Sequence, residues 1–291
     1  MPTFVTADPI SLTLELGLGN IRIIASDRAE TTVDVRPNDP SKKADVAAAE
    51  QTRVEYANGK LLVKAPKGWR QWTPWGGHES VDVRVELPTG SHVRGSAGVA
   101  DWQVTGRIGG CQLHTGVGDI QIEEATSVEL TAGVGAVDID AVGGSVEITT
   151  AGAVRIGRVA GPTVIKNRNG DTWIGEVVGE ARVNAANGAI SIDVAHAGIT
   201  AKTANGAVRL GEVARGSVVA QSAFGAVEVG VRDGIAAWLD LQTKLGAVQS
   251  DLDPVERPEA GEDAVEIQAH TSMGDITIQR SFASDTAKDL P

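Results

Sequence analysis

Aromatic side chains are scarce in this chain: three phenylalanines, one tyrosine and six tryptophans among 291 residues. A core packed around large rings is therefore excluded, and the interior has to be filled by Val, Ile, Leu and Ala, which suits thin stacked layers. A single cysteine, Cys111, rules out an internal disulfide, and its place in the inward alternation reads as a small buried apolar group. Positive charge is in deficit, with 26 Lys and Arg against 38 Asp and Glu, a net charge of −12. Nucleic acid and anionic membrane surfaces both reward a basic face, so neither is expected as a partner; a protein or a small molecule is. No stretch approaches the roughly 18–20 apolar residues of a membrane span, and the first residues lack the basic start and apolar run of a secretory signal. The expectation is a cytoplasmic protein. P-loop, dinucleotide fingerprint and Ser-His-Asp arrangement are missing too, and no cofactor is expected.

What the chain does have is one phrase, repeated. Gly118-Asp-Ile-Gln-Ile122, Gly135-Ala-Val-Asp-Ile139, Gly152-Ala-Val-Arg-Ile156, Gly170-Asp-Thr-Trp-Ile174, Gly188-Ala-Ile-Ser-Ile192, Gly206-Ala-Val-Arg-Leu210 and Gly225-Ala-Val-Glu-Val229 follow at steps of 17 to 19 residues. Wider-spaced copies start at Gly246 and Gly274, and earlier ones at Gly19 and Ala100. Self-similarity at a fixed period is the mark of stacked supersecondary units. The fold expected is all-β, a single-domain parallel β-solenoid of about 17–19 residues per coil over residues 1–280, with one short N-terminal helix.

With the phrase glycine as position zero, +2 and +4 are apolar and +3 is polar, the period-two alternation of a strand with one face inward. Positions −7 and −5 (Val128 and Leu130, Ile199 and Ala201, Ile267 and Ala269) repeat that logic ahead of the glycine, and an apolar residue near +7 (Val142, Val159, Val177, Val213) marks a third, shorter side. The glycine itself fits a corner needing φ > 0. Asn169, Asn187 and Asn205 at −1 can form a side-chain amide ladder from coil to coil.

The first coils, 10–94, are less regular. Strands are expected near 53–56, 60–64 and 81–87. Residues 40–53 read as a helix with Asp39 as N-cap and Pro40 at the first helical position. A Trp- and Gly-rich loop spans 66–80, regular coils run over 95–280 with an acidic, proline-containing loop at 253–263, and 281–291 reads as a frayed tail.

These features together (the Gly-Asp-Ile/Gly-Ala-Val phrase, the Asn-Gly corners, the short helix running into Arg53-Val-Glu-Tyr-Ala-Asn-Gly-Lys-Leu-Leu-Val63, and Val85-Glu-Leu-Pro-Thr-Gly-Ser-His-Val93) resemble a bacterial, actinobacterial-type β-strand-repeat family labelled "putative adhesin", of unassigned function. The resemblance covers roughly residues 5–280. It implies the fold and carries over no catalytic residue. Members carry Gly-Asp-Ile at the corner, whereas six coils here have Ala at +1, so a row of carboxylates has become a row of methyls.

Candidate sites follow from what stands outward. The +3 row (Gln121, Asp138, Arg155, Trp173, Ser191, Arg209, Glu228) mixes chemical types and clusters no pair of carboxylates. His114 and His270 share the −4 position on distant coils and cannot form one metal site, and the calcium nonapeptide repeat is missing; no metal is expected. The residues expected to make contacts are Trp69, Arg70, Trp72 and Trp75 in the loop, Trp173 at +3, and Phe224, Leu245 and Met273 at the −1 corner. The function expected is a non-catalytic binding scaffold that presents a long face to a partner. The alternatives are an enzyme, of a small-molecule tailoring or polysaccharide-acting β-helix type, with a pocket between the Trp-rich loop and the solenoid, and a self-assembling structural protein. Convergent charged groups in a deep cleft favour the enzyme, a flat apolar strip the binder, and an uncapped terminal coil the assembler.

Overall fold

The computed structural model describes residues 2–66, 79–252 and 264–281, an all-β solenoid of mostly parallel strands with one short helix. Two compact units, Met1–Arg155 and Ile156–Pro291, are described in turn.

The first unit contains β1 (Thr3–Val5), β2 (Ser11–Ser26), β3 (Glu30–Pro37), α1 (Lys43–Gln51), β4 (Arg53–Ala57), β5 (Lys60–Lys64), β6 (Val81–Pro88), β7 (His92–Val117), β8 (Ile120–Val134), β9 (Val137–Val142) and β10 (Val146–Thr150). Strand β2 runs parallel to β5, β6 and β7, and β8 continues the parallel stack with β7, β9 and β10. The inward alternation holds: Leu12, Leu14, Ile21, Ile23, Ile120, Ile139 and Ile148 are all buried. Cys111 lies in the same core, where loss of hydration pushes its thiol up to about 12. Trp102 is a core residue, its ring filling the space that a side chain at Gly95 would need.

The early strands do more than start the stack. β1 and β6 pair antiparallel on either side of β3, and β4 folds back antiparallel on β5. The ring of Phe4 on β1 lies 5.1 Å from that of Tyr56 on β4. The helix packs on β3 and β6. It starts three residues later than the Asp39-Pro40 signal predicts, because the Asp39 carboxylate accepts hydrogen bonds from the Ser41 amide and hydroxyl and closes a local turn instead. The buried Asp45 carboxylate in the first turn accepts the amides of Asp39 and Ser80 and so pins the helix to the entrance of β6.

The second unit begins within β11 (Val154–Val159) and continues with β12 (Thr163–Asn169), β13 (Thr172–Val177), β14 (Ala181–Asn187), β15 (Ile190–Ala195), β16 (Ile199–Asn205), β17 (Val208–Val213), β18 (Gly216–Phe224), β19 (Val227–Val231), β20 (Ala236–Leu245), β21 (Val248–Ser250), β22 (Ala264–Met273) and β23 (Ile276–Arg280). Side chains stack like on like across coils: Ile174, Ile192 and Leu210 in one inward column, Val183, Ala201 and Ala220 in another. The third side is real, with Val159, Val177 and Val213 buried.

One departure from chain order stands out in this unit. On one face the spatial order is β12, β14, β16, β18, β22, β20, and on the next it is β13, β15, β17, β19, β23, β21. The coil 264–280 therefore lies between the coil ending at Val231 and the coil 236–250, which becomes terminal. Four residues, 232–235, step across the full width of the inserted coil. That step is fastened by the inserted coil itself: Arg280 Nη1 donates to the carbonyls of Arg232 and Ile235, at 3.1 and 2.7 Å.

Candidate functional site

The corner of the second unit is built from three adjoining rows. At position zero the glycines adopt positive φ, for example +145° at Gly206. Each glycine amide donates to the −1 carbonyl of the next coil, as Gly206 does to Phe224, Gly225 to Met273 and Gly274 to Leu245. At −3, an inward position, the hydroxyls of Thr203, Ser222, Thr271 and Thr243 donate to the glycine carbonyls of the preceding coil at 2.8–3.0 Å. These hydroxyls, buried at Thr203, Ser222 and Thr271 and half-buried at Thr243, thus find partners in the corner backbone they brace.

The −1 row changes character along the stack. The three asparagines form the expected ladder, Asn187 Nδ2 to Asn169 Oδ1 and Asn205 Nδ2 to Asn187 Oδ1, each 2.8 Å. Past Asn205 the row becomes apolar. Phe224, Met273 and Leu245 occupy neighbouring strands in register and are 55, 46 and 62% exposed. Sequence order places Leu245 second of these three; the inserted coil makes Met273 the middle one and leaves Leu245 at the end.

Beside this row lies an open groove of about 950 Å³. Its floor is the hydroxyl row, one wall carries the small −2 residues Ala204, Ala223 and Ser272, and the other carries the −4 side chains Asn184, Lys202, Gln221, His270 and Gln242, in that spatial order. Periodic Thr or Ser at an inward position was the available sequence signal for the floor; the polar −4 row gave no signal of a groove.

The other predicted contact residues are not gathered there. Trp173 stands on the outward face of β13, half-buried, and its indole Nε1 donates to Asp193 Oδ1 on the next coil at 3.3 Å. Trp69, Arg70, Trp72 and Trp75 lie outside the described residues, as do the acidic loop 253–263 and the tail from 282 onward.

In the first unit a cleft of about 800 Å³ is lined by Arg22, Arg36 and Arg84 together with Asp34, Asp82, Asp101 and Asp119. These charges serve one another and the backbone. Arg22 donates to Gln103, Arg36 pairs with Asp34 at 2.7 Å, and Asp82 accepts from Asn20 and Asn38. Hydrogen bonds from Arg28 and Arg84 hold the Glu86 carboxyl below its usual range. The surviving +1 aspartates have a structural use as well: Asp101, Asp119, Asp171 and Asp275 each accept the +1 amide of the neighbouring coil at 2.7–2.9 Å. Among the described residues no group of three His, Cys, Asp or Glu is placed to hold a metal ion, and no helix is long and apolar enough to cross a membrane.

A solenoid whose polar groups brace its own coils, with an apolar row beside an open groove, defines a β-solenoid repeat protein. The chain belongs to the Toastrack DUF4097 family, whose match covers residues 10–288. Similar solved structures are a "putative adhesin" from Parabacteroides distasonis (12% identity, TM-score 0.39, 95% of each chain) and another from Bacteroides fragilis (12% identity, TM-score 0.36, 96% of each chain). A "putative cell adhesion protein" from Clostridium sporogenes aligns at 12% identity over 96% of this chain and 98% of its own, with a TM-score of 0.28. No protein with a curated description matches the sequence.

Proposed function

We propose that the protein is a non-catalytic scaffold that binds a protein or small-molecule partner along the corner and groove of its second unit. The observation that carries this reading is the in-register exposure of Phe224, Met273 and Leu245 on three hydrogen-bonded strands. Three large apolar side chains held in line by a rigid backbone cost little further ordering on contact, which favours them as anchors. The groove supplies polar groups of alternating kind at the spacing of the strands, about 4.8 Å, for orienting what the anchors hold.

The ladder on the same corner provides the test. Changing Phe224, Met273 and Leu245 together to Asn continues an arrangement the neighbouring coils already use and leaves the inward residues alone. The triple variant should melt close to the wild type while losing the partners that wild-type protein, carrying a photo-crosslinker at the adjacent Ala223, captures from its native source. Recovery of the same partners by both proteins would end the reading.

A further inference from the structure

Among the described residues the terminal coil of the second unit has one unpaired edge. β20 pairs with β22 alone and β21 with β23 alone among the described residues. The +2 column shows what is uncovered: Val208, Val227 and Ile276 are 0% exposed, and the next member, Val248, is 46% exposed. Leu239 and Leu241, in columns elsewhere fully buried, are only half-buried. The edge strand is ten residues long, in unbroken register with its neighbour and free of proline, so two of the devices that discourage edge pairing, proline and a bulge, are missing from it.

Its charges point to a particular occupant. Residues 236–250 contain one acid, Asp240, and one base, Lys244, in a chain of net charge −12, so this face escapes the repulsion that two copies would otherwise feel. Asp240, Gln242 and Lys244 alternate along the outward side of β20, two residues apart. A two-fold axis through Gln242 sets residues whose numbers sum to 484 opposite each other. Asp240 then faces Lys244 of the second copy and Lys244 faces its Asp240, while inward Leu239 meets Leu245 and Leu241 meets Thr243. Parity is kept, so core side chains stay on the core side. An isologous contact requires such reciprocity.

We infer that two copies of this chain pair antiparallel through β20, with Gln242 on the two-fold axis. The contact runs along the strand edge, where Gln242, Thr243 and Leu245 also border the proposed binding face, so oligomeric state tests the pairing while partner capture at Ala223 tests the binding reading.

The test uses the full chain in sedimentation velocity from low to high micromolar concentration, with circular dichroism to check the fold of each variant. Wild type should form a dimer. Asp240→Lys or Lys244→Glu alone should raise the dissociation constant about 10-fold or more, since each sets two like-charge pairs across the contact, and the double variant should restore dimerisation. Facing residues of an antiparallel pair have Cα atoms about 4.5–5.5 Å apart, within disulfide range, so Gln242→Cys should cross-link to itself under mild oxidation. The buried Cys111 does not compete. Phe224→Asn and Met273→Asn should stay dimeric. A wild type that is monomeric throughout, a double variant that fails to recover, or a Gln242→Cys protein that does not cross-link would each overturn the inference. So would dimers that appear only when residues 253–263 are replaced by a Gly-Ser linker, which would make that segment the occupant of the edge.

Discussion

A methyl group added at Gly206 should destabilise the second unit by more than its backbone angle alone accounts for. Two separate demands meet at this residue. Its φ of +145° is a conformation that side-chain-bearing residues rarely adopt, and a Cβ there would lie 2.1 Å from the carbonyl oxygen of Gly188, the oxygen that Thr203 already holds. The same unit offers each demand singly. Gly234 has φ +79° with nothing within 4 Å of a Cβ, whereas Gly230 lies outside the positive-φ range and would put a Cβ 2.0 Å from the carbonyl of Gly211. The angle alone costs about 1–2 kcal/mol. Overpacking against a carbonyl that cannot rotate away costs about 1–3 kcal/mol, and sometimes more. Gly234→Ala should therefore lower stability by about 1–2 kcal/mol, Gly230→Ala by about 2–3 kcal/mol and Gly206→Ala by about 3 kcal/mol or more. For a chain of this size that is a fall in melting temperature of about 6–12 °C for Gly206→Ala, read by circular dichroism in the strand band. Gly206→Asn should be tolerated no better, because asparagine's tolerance of positive φ is confined to the left-handed region near about +57°, far from the angle at Gly206, and it too brings a Cβ. If Gly206→Asn melts like the wild type, or Gly206→Ala no lower than Gly234→Ala, the close approach of coils is not what requires glycine at the corner.

Two further outcomes follow from titration. Cys111, with its thiol pushed up to about 12 by burial, should resist iodoacetamide at pH 8 in the folded protein and react fully in denaturant; labelling of the native protein at the free-thiol rate would place it outside the core. Glu86 is held below its usual range by Arg28 and Arg84, so in the interval between its folded and unfolded values the unfolded chain binds more protons and stability rises with pH. The advantage of wild type over Glu86→Gln should be present above the usual carboxylate range, of order 1 kcal/mol or less given solvent screening, and vanish as pH falls through the depressed value; equal melting of the two proteins at pH 7 would refute this.

The solenoid was legible because its determinants are local and periodic. Alternation at −7, −5, +2 and +4 fixes which side chains stack, and glycine with asparagine at −1 marks the corner. The helix start was misplaced because Asp39 is as good a turn former as an N-cap, and nothing local separates the two uses. Coil order was harder still. Consecutive elements are neighbours in space about two-thirds of the time, and the step from Gly246 to Gly274 differs from the others only in length. That one non-local choice determines which apolar corner residues touch and which coil is terminal, so the end of the candidate face was the least readable part of it. The +1 aspartates illustrate the converse: their type was visible, but the amide each accepts belongs to another coil.

The inserted coil also bears on how the chain can be made. Residues 236–250 are synthesised before 264–280, and at that moment the outer edge of β18 is unoccupied. At about 5–20 residues per second, the 28 residues from Gly246 to Gly274 take about 1–6 s to appear, while strand pairing takes microseconds. Wherever the coil 236–250 is free to pair ahead of 264–280, it meets an edge with the same columns of Val, Ala and glycine corners. A chain that stops short of Ala264 retains what it needs to stack β20 directly on β18, in simple sequence order. Completion of the native fold then means opening that earlier pairing, and the hold of Arg280 on the bypassing segment comes from almost the last described residue to leave the ribosome.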